Sequence, residues 1–296
     1  MEQKHEYSKL NSRLNLLITL LFIACVSLLL YPYVSNLLTS AGQTETFVSY
    51  DSRTHELTVA QKQKLLSDAL SYNERLAANP VGYSMEEALT EEYMSLLDMG
   101  DNGLMAIIEI PCIKLRLPVY HTVKEEILQI GAGHVQGSSL PVEGCDSNVM
   151  LMAHRGLPNA ELFNNLDRVS EGDTFTVTVL NTALRYEVKE TATVKPDDVA
   201  KIGITKNRQL CTLVTCTPYG VNSDRLVVTG ELTDSEELSD TGGLGGYSYT
   251  LPFSRKGGPT TEEILALAGL ALLLMTVLRG TYHLTKRRRK HREKEA

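Results

Sequence analysis

The chain has 296 residues, with 29 Lys+Arg against 36 Asp+Glu and a formal net charge of −7, enough for one sizeable domain with appendages. Between residues 35 and 262 there are 18 Lys+Arg and 31 Asp+Glu, a balance of −13, which argues against nucleic acid and against direct adhesion to anionic lipid. The five cysteines form no Cys-x-x-Cys pair and no His/Cys cluster at metal spacing, so no metal or cofactor is implied.

Residues 1–13 carry Lys4, Lys9 and Arg13 and read as a cytoplasmic tail. Residues 14–38 contain no charged residue and are long enough to span a bilayer. That apolar run exceeds a usual signal-peptide core, which favours an uncleaved anchor. Residues 39–103 read as a helical segment. Thr58-x-x-Gln61 is a capping box, and Leu65, Ala69, Tyr72 and Leu76 recur at helical spacing. This helix should end near Asn79-Pro80. Ser84-x-x-Glu87 is a second capping box, opening a helix to about Asp98, and Asp101-Asn102-Gly103 is a turn.

From Leu104 to residue 233 the pattern is mainly β: short strands at close intervals, as in a sandwich or barrel. The candidate strands are Met105–Ile110, Leu117–Tyr120, Val149–His154, Thr174–Leu180, Leu184–Val194, Leu210–Cys216 and Leu226–Leu232. Lys124–Gln129 and Ala160–Val169 read as short connecting helices. Residues 234–262, centred on Thr241-Gly242-Gly243-Leu244-Gly245-Gly246, read as a flexible tether. Residues 263–282 contain the apolar run Ile264–Leu278, which spans a bilayer with help from its flanks. The basic run Lys286–Arg292 in the tail 283–296 stays cytoplasmic. The expected topology is two-pass, with both termini inside and residues between the spans outside.

The chemistry concentrates at three strand boundaries. Leu210–Cys216 is stopped by Thr217-Pro218, since proline cannot donate to a ladder. Leu226–Leu232 begins just after Arg225, so a thiol and a guanidinium come to one sheet rim. A lone cysteine is more often a small buried hydrophobe. Here His154 closes another core strand before Gly156 and Pro158. An imidazole and a fixed cation both favour the thiolate, and Arg225 can donate to an oxyanion. Cys216, His154 and Arg225 together fit acyl transfer through a thioester. His121 and His134 read as satisfied surface or loop histidines, and Asp197-Asp198 as a solvated loop. Tyr219 and Asn222 either position substrate or brace their loop. Cys211 and Cys216 lie on opposite strand faces roughly 16 Å apart, too far for a disulfide. No bridge is expected between Cys112 and Cys145.

The run Thr-Leu-Val-Thr-Cys-Thr-Pro-Tyr-x-x-Asn-x-x-Arg-Leu from Thr212 resembles the signature of sortases, Gram-positive surface transpeptidases, and in particular of class C, the pilin-polymerising sortases. Similarity extends to Ile108-Glu109-Ile110-Pro111, Leu117-Pro118-Val119-Tyr120-His121, Gly131-Ala132-Gly133-His134, Gly137-Ser138-Ser139-Leu140-Pro141 and Ala153-His154-Arg155-Gly156. The resemblance implies a closed sortase-type β-barrel and a catalytic set of Cys216, His154 and Arg225. It implies pilin subunits bearing a Leu-Pro-x-Thr-Gly-type sorting signal as partners, joined to a lysine amine. A thiol hydrolase, a cell-wall anchoring transpeptidase and a non-catalytic pilin-binding scaffold are the alternatives. One feature departs from class C, whose lid carries an Asp-Pro-aromatic plug. Asn79-Pro80-Val81 has neither the acid nor the ring, and Tyr83 is the nearest aromatic.

Overall fold

The computed structural model describes residues 2–78, 91–99, 103–157 and 160–238, with the single positions 269 and 280. The chain separates into two compact units, one comprising Met1–Leu37 and Thr250–Ala296 and the other Leu38–Tyr249. The first apolar segment lies within helix α1 (Glu2–Glu56), where Leu16, Leu17, Ile18, Leu20, Leu21, Phe22 and Leu28 are exposed. Among the described residues no helix is long and apolar enough to cross a membrane. The expected second span, Ile264–Leu278, lies outside the described residues, as do the capping box at Ser84 and the Asn79-Pro80-Val81 stretch.

In the second unit, eight strands close into a barrel in the order β1-β2-β3-β4-β7-β8-β6-β5. They are β1 (Leu104–Ile110), β2 (Leu115–His121), β3 (Ala132–His134), β4 (Ser147–Met152), β5 (Thr174–Val179), β6 (Thr182–Val194), β7 (Gln209–Thr217) and β8 (Asp224–Glu237). The β2–β3 and β4–β7 pairs are parallel and the other pairs antiparallel. Alternating residues fill the barrel: Ile108, Leu117, Leu151, Phe175, Val177, Tyr186, Leu213 and Val228 are all buried. The Phe175 and Tyr186 rings stack at 5.3 Å beside Gly230. A Cβ on Gly230 would lie 2.6 Å from the Phe175 ring, so only glycine admits that stack.

Seven of the eight strands follow the sequence pattern. The exception is β3, three residues long with Gly131 before it and Gly133 within it, too short for alternation to register. His134 therefore sits on a strand and not in a loop. Several boundaries also move: β7 runs one residue past Cys216, and β8 begins at Asp224, so Arg225 lies inside that strand and not just before it. β4 ends at Met152, so His154 lies two residues beyond the strand that the sequence has it close. β8 runs past Leu232 to Glu237, because β6 pairs with it as far as Thr182↔Glu237. The expected helix over Ala160–Val169 is a series of turns with one 3-10 turn at Leu166–Arg168. Asp197 and Asp198 lie on a four-residue helix, α5 (Pro196–Val199).

The helical segment docks through buried polar contacts. The capping box forms as its residue types dictate: the Thr58 N–H donates to Gln61 Oε1 at 2.9 Å, and the Gln61 N–H donates to Thr58 Oγ1 at 3.3 Å. Helix α2 (Val59–Ala78) follows directly. On its buried side Asn73 donates to the Leu140 carbonyl at 2.9 Å and accepts from the Leu140 N–H at 2.7 Å. That amide satisfies both backbone groups of a loop residue that has no strand partner there. In α1, the buried Tyr50 hydroxyl donates to Met105 O at 3.1 Å and accepts from Leu180 N–H at 2.7 Å, tying the helix to β1 and the end of β5.

Candidate active site

β7 and β8 pair so that Cys216 stands directly opposite Arg225. β4 runs parallel to β7, with Met152 opposite Val214. The chain keeps step beyond the end of β4: the Ala153 N–H donates to Val214 O at 3.3 Å, and Thr215 Oγ1 donates to Ala153 O at 2.8 Å. This carries His154 to the level of Cys216. Thiol, imidazole and guanidinium thus come from three neighbouring chain paths at one rim, spaced by roughly 4.8 Å per strand.

Alternation settles which face they share. Cys211 and Leu213 point into the barrel core, whereas Val214 belongs to a separate outer cluster with Val135 and Met150. Cys216 lies two residues from Val214, and His154 four from Met150, so both project from that outer face. Val123, Met152, Val199 and Ile202 pack around the same cluster and give the site an apolar floor. Cys216, His154 and Arg225 are each half-buried there.

The loop after β4 is held from beneath. The Phe163 N–H donates to His154 O at 3.1 Å, and the Gly156 N–H donates to Asn164 Oδ1 at 2.6 Å. Arg155, with only 8% of its side chain exposed, pairs with Asp167 at 2.6 Å and donates to Asn164 O at 3.2 Å and Thr217 Oγ1 at 3.1 Å. It therefore links the loop bearing His154 to the end of β7, one residue past Cys216. The Tyr219 ring lies 5.9 Å from the same guanidinium and is 59% exposed. Sequence reasoning missed this brace, because nothing in a His-Arg-Gly run says which way the arginine turns.

The His154 imidazole carries a contact that the sequence also leaves hidden. Its Nε2 lies 3.2 Å from both carboxylate oxygens of Glu125, on helix α4 (Glu125–Leu128). The Gln129 amide and then His154 hold the Glu125 carboxyl below its usual range. Arg225 Nη1 donates to Asn222 O at 3.2 Å and Asp224 O at 3.0 Å, and among the described residues it forms no ion pair. Asn222 adopts a left-handed φ of 61°, which asparagine tolerates, and its N–H donates to Pro218 O at 3.0 Å. Its backbone thus braces the β7–β8 loop. Among the described residues no group of three or more His, Cys, Asp or Glu could hold a metal ion, and all five cysteines are free thiols.

His121 and His134, which the sequence reads as surface or loop residues, are instead buried partners of the helical segment. His121 and His134 stand opposite each other on β2 and β3. Tyr93, on helix α3 (Glu91–Ser95), lies between them, its ring centroid 5.2 Å from His121 and 5.7 Å from His134. His121 places Nδ1 2.8 Å from Gly103 O and Nε2 2.7 Å from Leu96 O. His134 Nε2 donates to Ser139 O at 2.9 Å, which leaves Nδ1 to accept from the Tyr93 hydroxyl at 2.9 Å. By strand pairing His134 is level with Leu151 and Leu213, three residues down β7 from Cys216.

Burial, more than the nearby His121, lowers the His134 pKa from 6.5 to about 4. The folded state then binds fewer protons than the unfolded state between those values. Stability from this group is complete above pH 6.5 and is lost as pH falls towards 4, by roughly 3 kcal/mol in all. Urea unfolding at pH 7 and pH 4.5 checks this. The wild type should lose this increment and a His134→Gln variant should not; equal losses would exclude His134 as the source.

The sortase-domain family model matches residues 108–233. Sortase C1 from Streptococcus agalactiae superposes with a TM-score of 0.60 at 37% identity, covering 64% of this chain and 98% of that one. Sortase C-1 from Actinomyces oris gives a TM-score of 0.53 at 39% identity, covering 58% of this chain and 98% of that one. Sortase A from Listeria monocytogenes is 25% identical over 178 residues, which is 60% of this chain and 78% of that protein.

Proposed function

This chain belongs to the sortase family, and we propose that it is a membrane-anchored class C enzyme that joins pilin subunits through lysine isopeptide bonds. The observation that carries the proposal is the convergence of Cys216, His154 and Arg225 at one rim of the barrel, on one face. The class is supported by neighbours such as Streptococcus pneumoniae sortase C, 35% identical with a TM-score of 0.58, whose structure concerns catalysis and pilin substrate specificity.

In this reading the Cys216 thiolate attacks the Thr carbonyl carbon of a Leu-Pro-x-Thr-Gly-type signal. Arg225 donates to the oxygen on which negative charge develops. His154 gives its proton to the departing glycine amine as the Thr–Gly bond breaks, leaving a thioester on Cys216. A lysine amine then attacks the thioester, its proton passes to His154, and the thiolate leaves. Mass spectrometry of a sorting-signal peptide incubated with residues 39–249, with and without a pilin bearing lysines, tests this. An isopeptide-linked product is expected. A hydrolysed peptide alone, at equal rates with and without the amine, would replace transpeptidation by thiol hydrolysis.

Anchoring through residues 14–38 and 263–282 is part of the same proposal. Its support is the uncharged first stretch, the exposed leucines of α1 and the basic run from Lys286 to Arg292. Proteolysis of intact protoplasts should remove the barrel and leave the basic tail protected. A tail destroyed under those conditions would overturn the two-pass arrangement.

A further inference from the structure

We propose that Glu125 is a positioning residue that fixes the tautomer of His154, so that proton exchange with the substrate runs through Nδ1. The inference rests on the reading of His154 as the acid–base residue. A carboxylate only accepts, and both Glu125 oxygens stand 3.2 Å from His154 Nε2. Nε2 must therefore carry a hydrogen for the contact to be favourable. In the neutral imidazole the lone pair is then on Nδ1, and that is the atom that can take a proton from the incoming amine. A free histidine would divide its population between two tautomers and several ring orientations. The contact removes the unproductive ones.

The geometry is held by more than the pair itself. α4 is a single turn, yet it is fixed at both ends. The Ile127 and Leu128 N–H groups both donate to Lys124 O at 3.0 Å, and the Gly131 N–H donates to Ile127 O at 3.0 Å. Leu128 is buried against β3, where a Cβ on Gly133 would lie 3.2 Å from its Cδ2. The turn is thus seated over β3, the strand beside β4, and Glu125 reaches across towards the His154 loop. Gln129, one turn on, donates its amide to Glu125 Oε1 at 3.2 Å and limits the carboxylate's rotation. The chain Gln129–Glu125–His154 therefore reaches the imidazole from the β3 side of β4, while Cys216 stands on β7, on the other side of β4.

A surface ion pair with no catalytic consequence is the competing reading, because the Glu125 side chain is 64% exposed. Exposed pairs are weak. The expected effect is accordingly several-fold and far smaller than for a buried acid–base partner. With a sorting-signal peptide and an amine acceptor, Glu125→Ala should lower kcat by about 5- to 10-fold and leave KM within about twofold. Nitrogen NMR of histidine-labelled protein should show neutral His154 protonated at Nε2 in the wild type and divided between both nitrogens in the variant. Unchanged kcat, or a tautomer unaffected by the substitution, would overturn the inference. His154→Ala serves as the separate control. Full turnover in that variant would overturn the acid–base reading itself, whatever Glu125 does.

Discussion

Cys216→Ala is expected to abolish thioester formation and to lower turnover by at least on the order of 10⁴-fold. Among the described residues nearest to it, none is placed to take over as nucleophile. Cys211, five residues away, faces the barrel core, where burial pushes its thiol well above the usual range. The Thr215 hydroxyl donates to Ala153 O, and the Thr217 hydroxyl accepts from Arg155. Both are occupied in holding the rim together. The substitution removes one half-buried sulfur from the outer face and leaves the core cluster of Leu213, Leu151 and Val228 intact, so the variant should fold and unfold like the wild type. Trapping with a sorting-signal peptide and intact-mass measurement checks the outcome. An acyl adduct on Cys216→Ala would show that another residue attacks and would remove Cys216 from the mechanism.

The placement of Cys216 and Arg225 at one rim was legible in the sequence because both stand near strand ends. A β-branched run stopped by Thr217-Pro218, a short loop and a second run beginning at Leu226 leave little freedom in how β7 and β8 pair. The register Cys216↔Arg225 follows from that. The capping box at Thr58 was legible for the same reason, since its contacts are local. What the sequence concealed depends on neighbours distant in the chain. β3 exists because β2 and β4 flank it, and three residues with a glycine at their centre carry no periodicity of their own. His154 reaches the level of Cys216 because Ala153, the first residue beyond β4, is held by Val214 and Thr215 of β7. Tyr93 links His121 and His134 across 28 and 41 positions, which turns two histidines that read as surface or loop residues into buried packing for the helical segment. The Glu125 contact is likewise invisible in sequence, because a carboxylate opening a short helix usually answers only to that helix.

Arg225→Lys is expected to lower kcat/KM by roughly 10²-fold, although the charge is retained. Two backbone carbonyls, Asn222 O and Asp224 O, hold Nη1, and this fixes the plane of the guanidinium beside the end of β7. The remaining N–H groups then point as a rigid fork, already oriented before substrate arrives. A lysine ammonium has three donors on a flexible stem and no second nitrogen. If it satisfies the two carbonyls it withdraws from the substrate, and if it turns to the substrate the carbonyls lose their donor. Either choice spends free energy at the moment charge develops on the carbonyl oxygen, and a penalty of about 2.7 kcal/mol corresponds to the 10²-fold loss. The distribution of the loss identifies the role. A fall in kcat with KM unchanged places the guanidinium on the oxyanion of the tetrahedral intermediate, whereas a rise in KM alone places it on the bound signal peptide. A lysine variant within about threefold of the wild type would show that charge alone suffices, and that the fork opposite Cys216 has no part in the reaction.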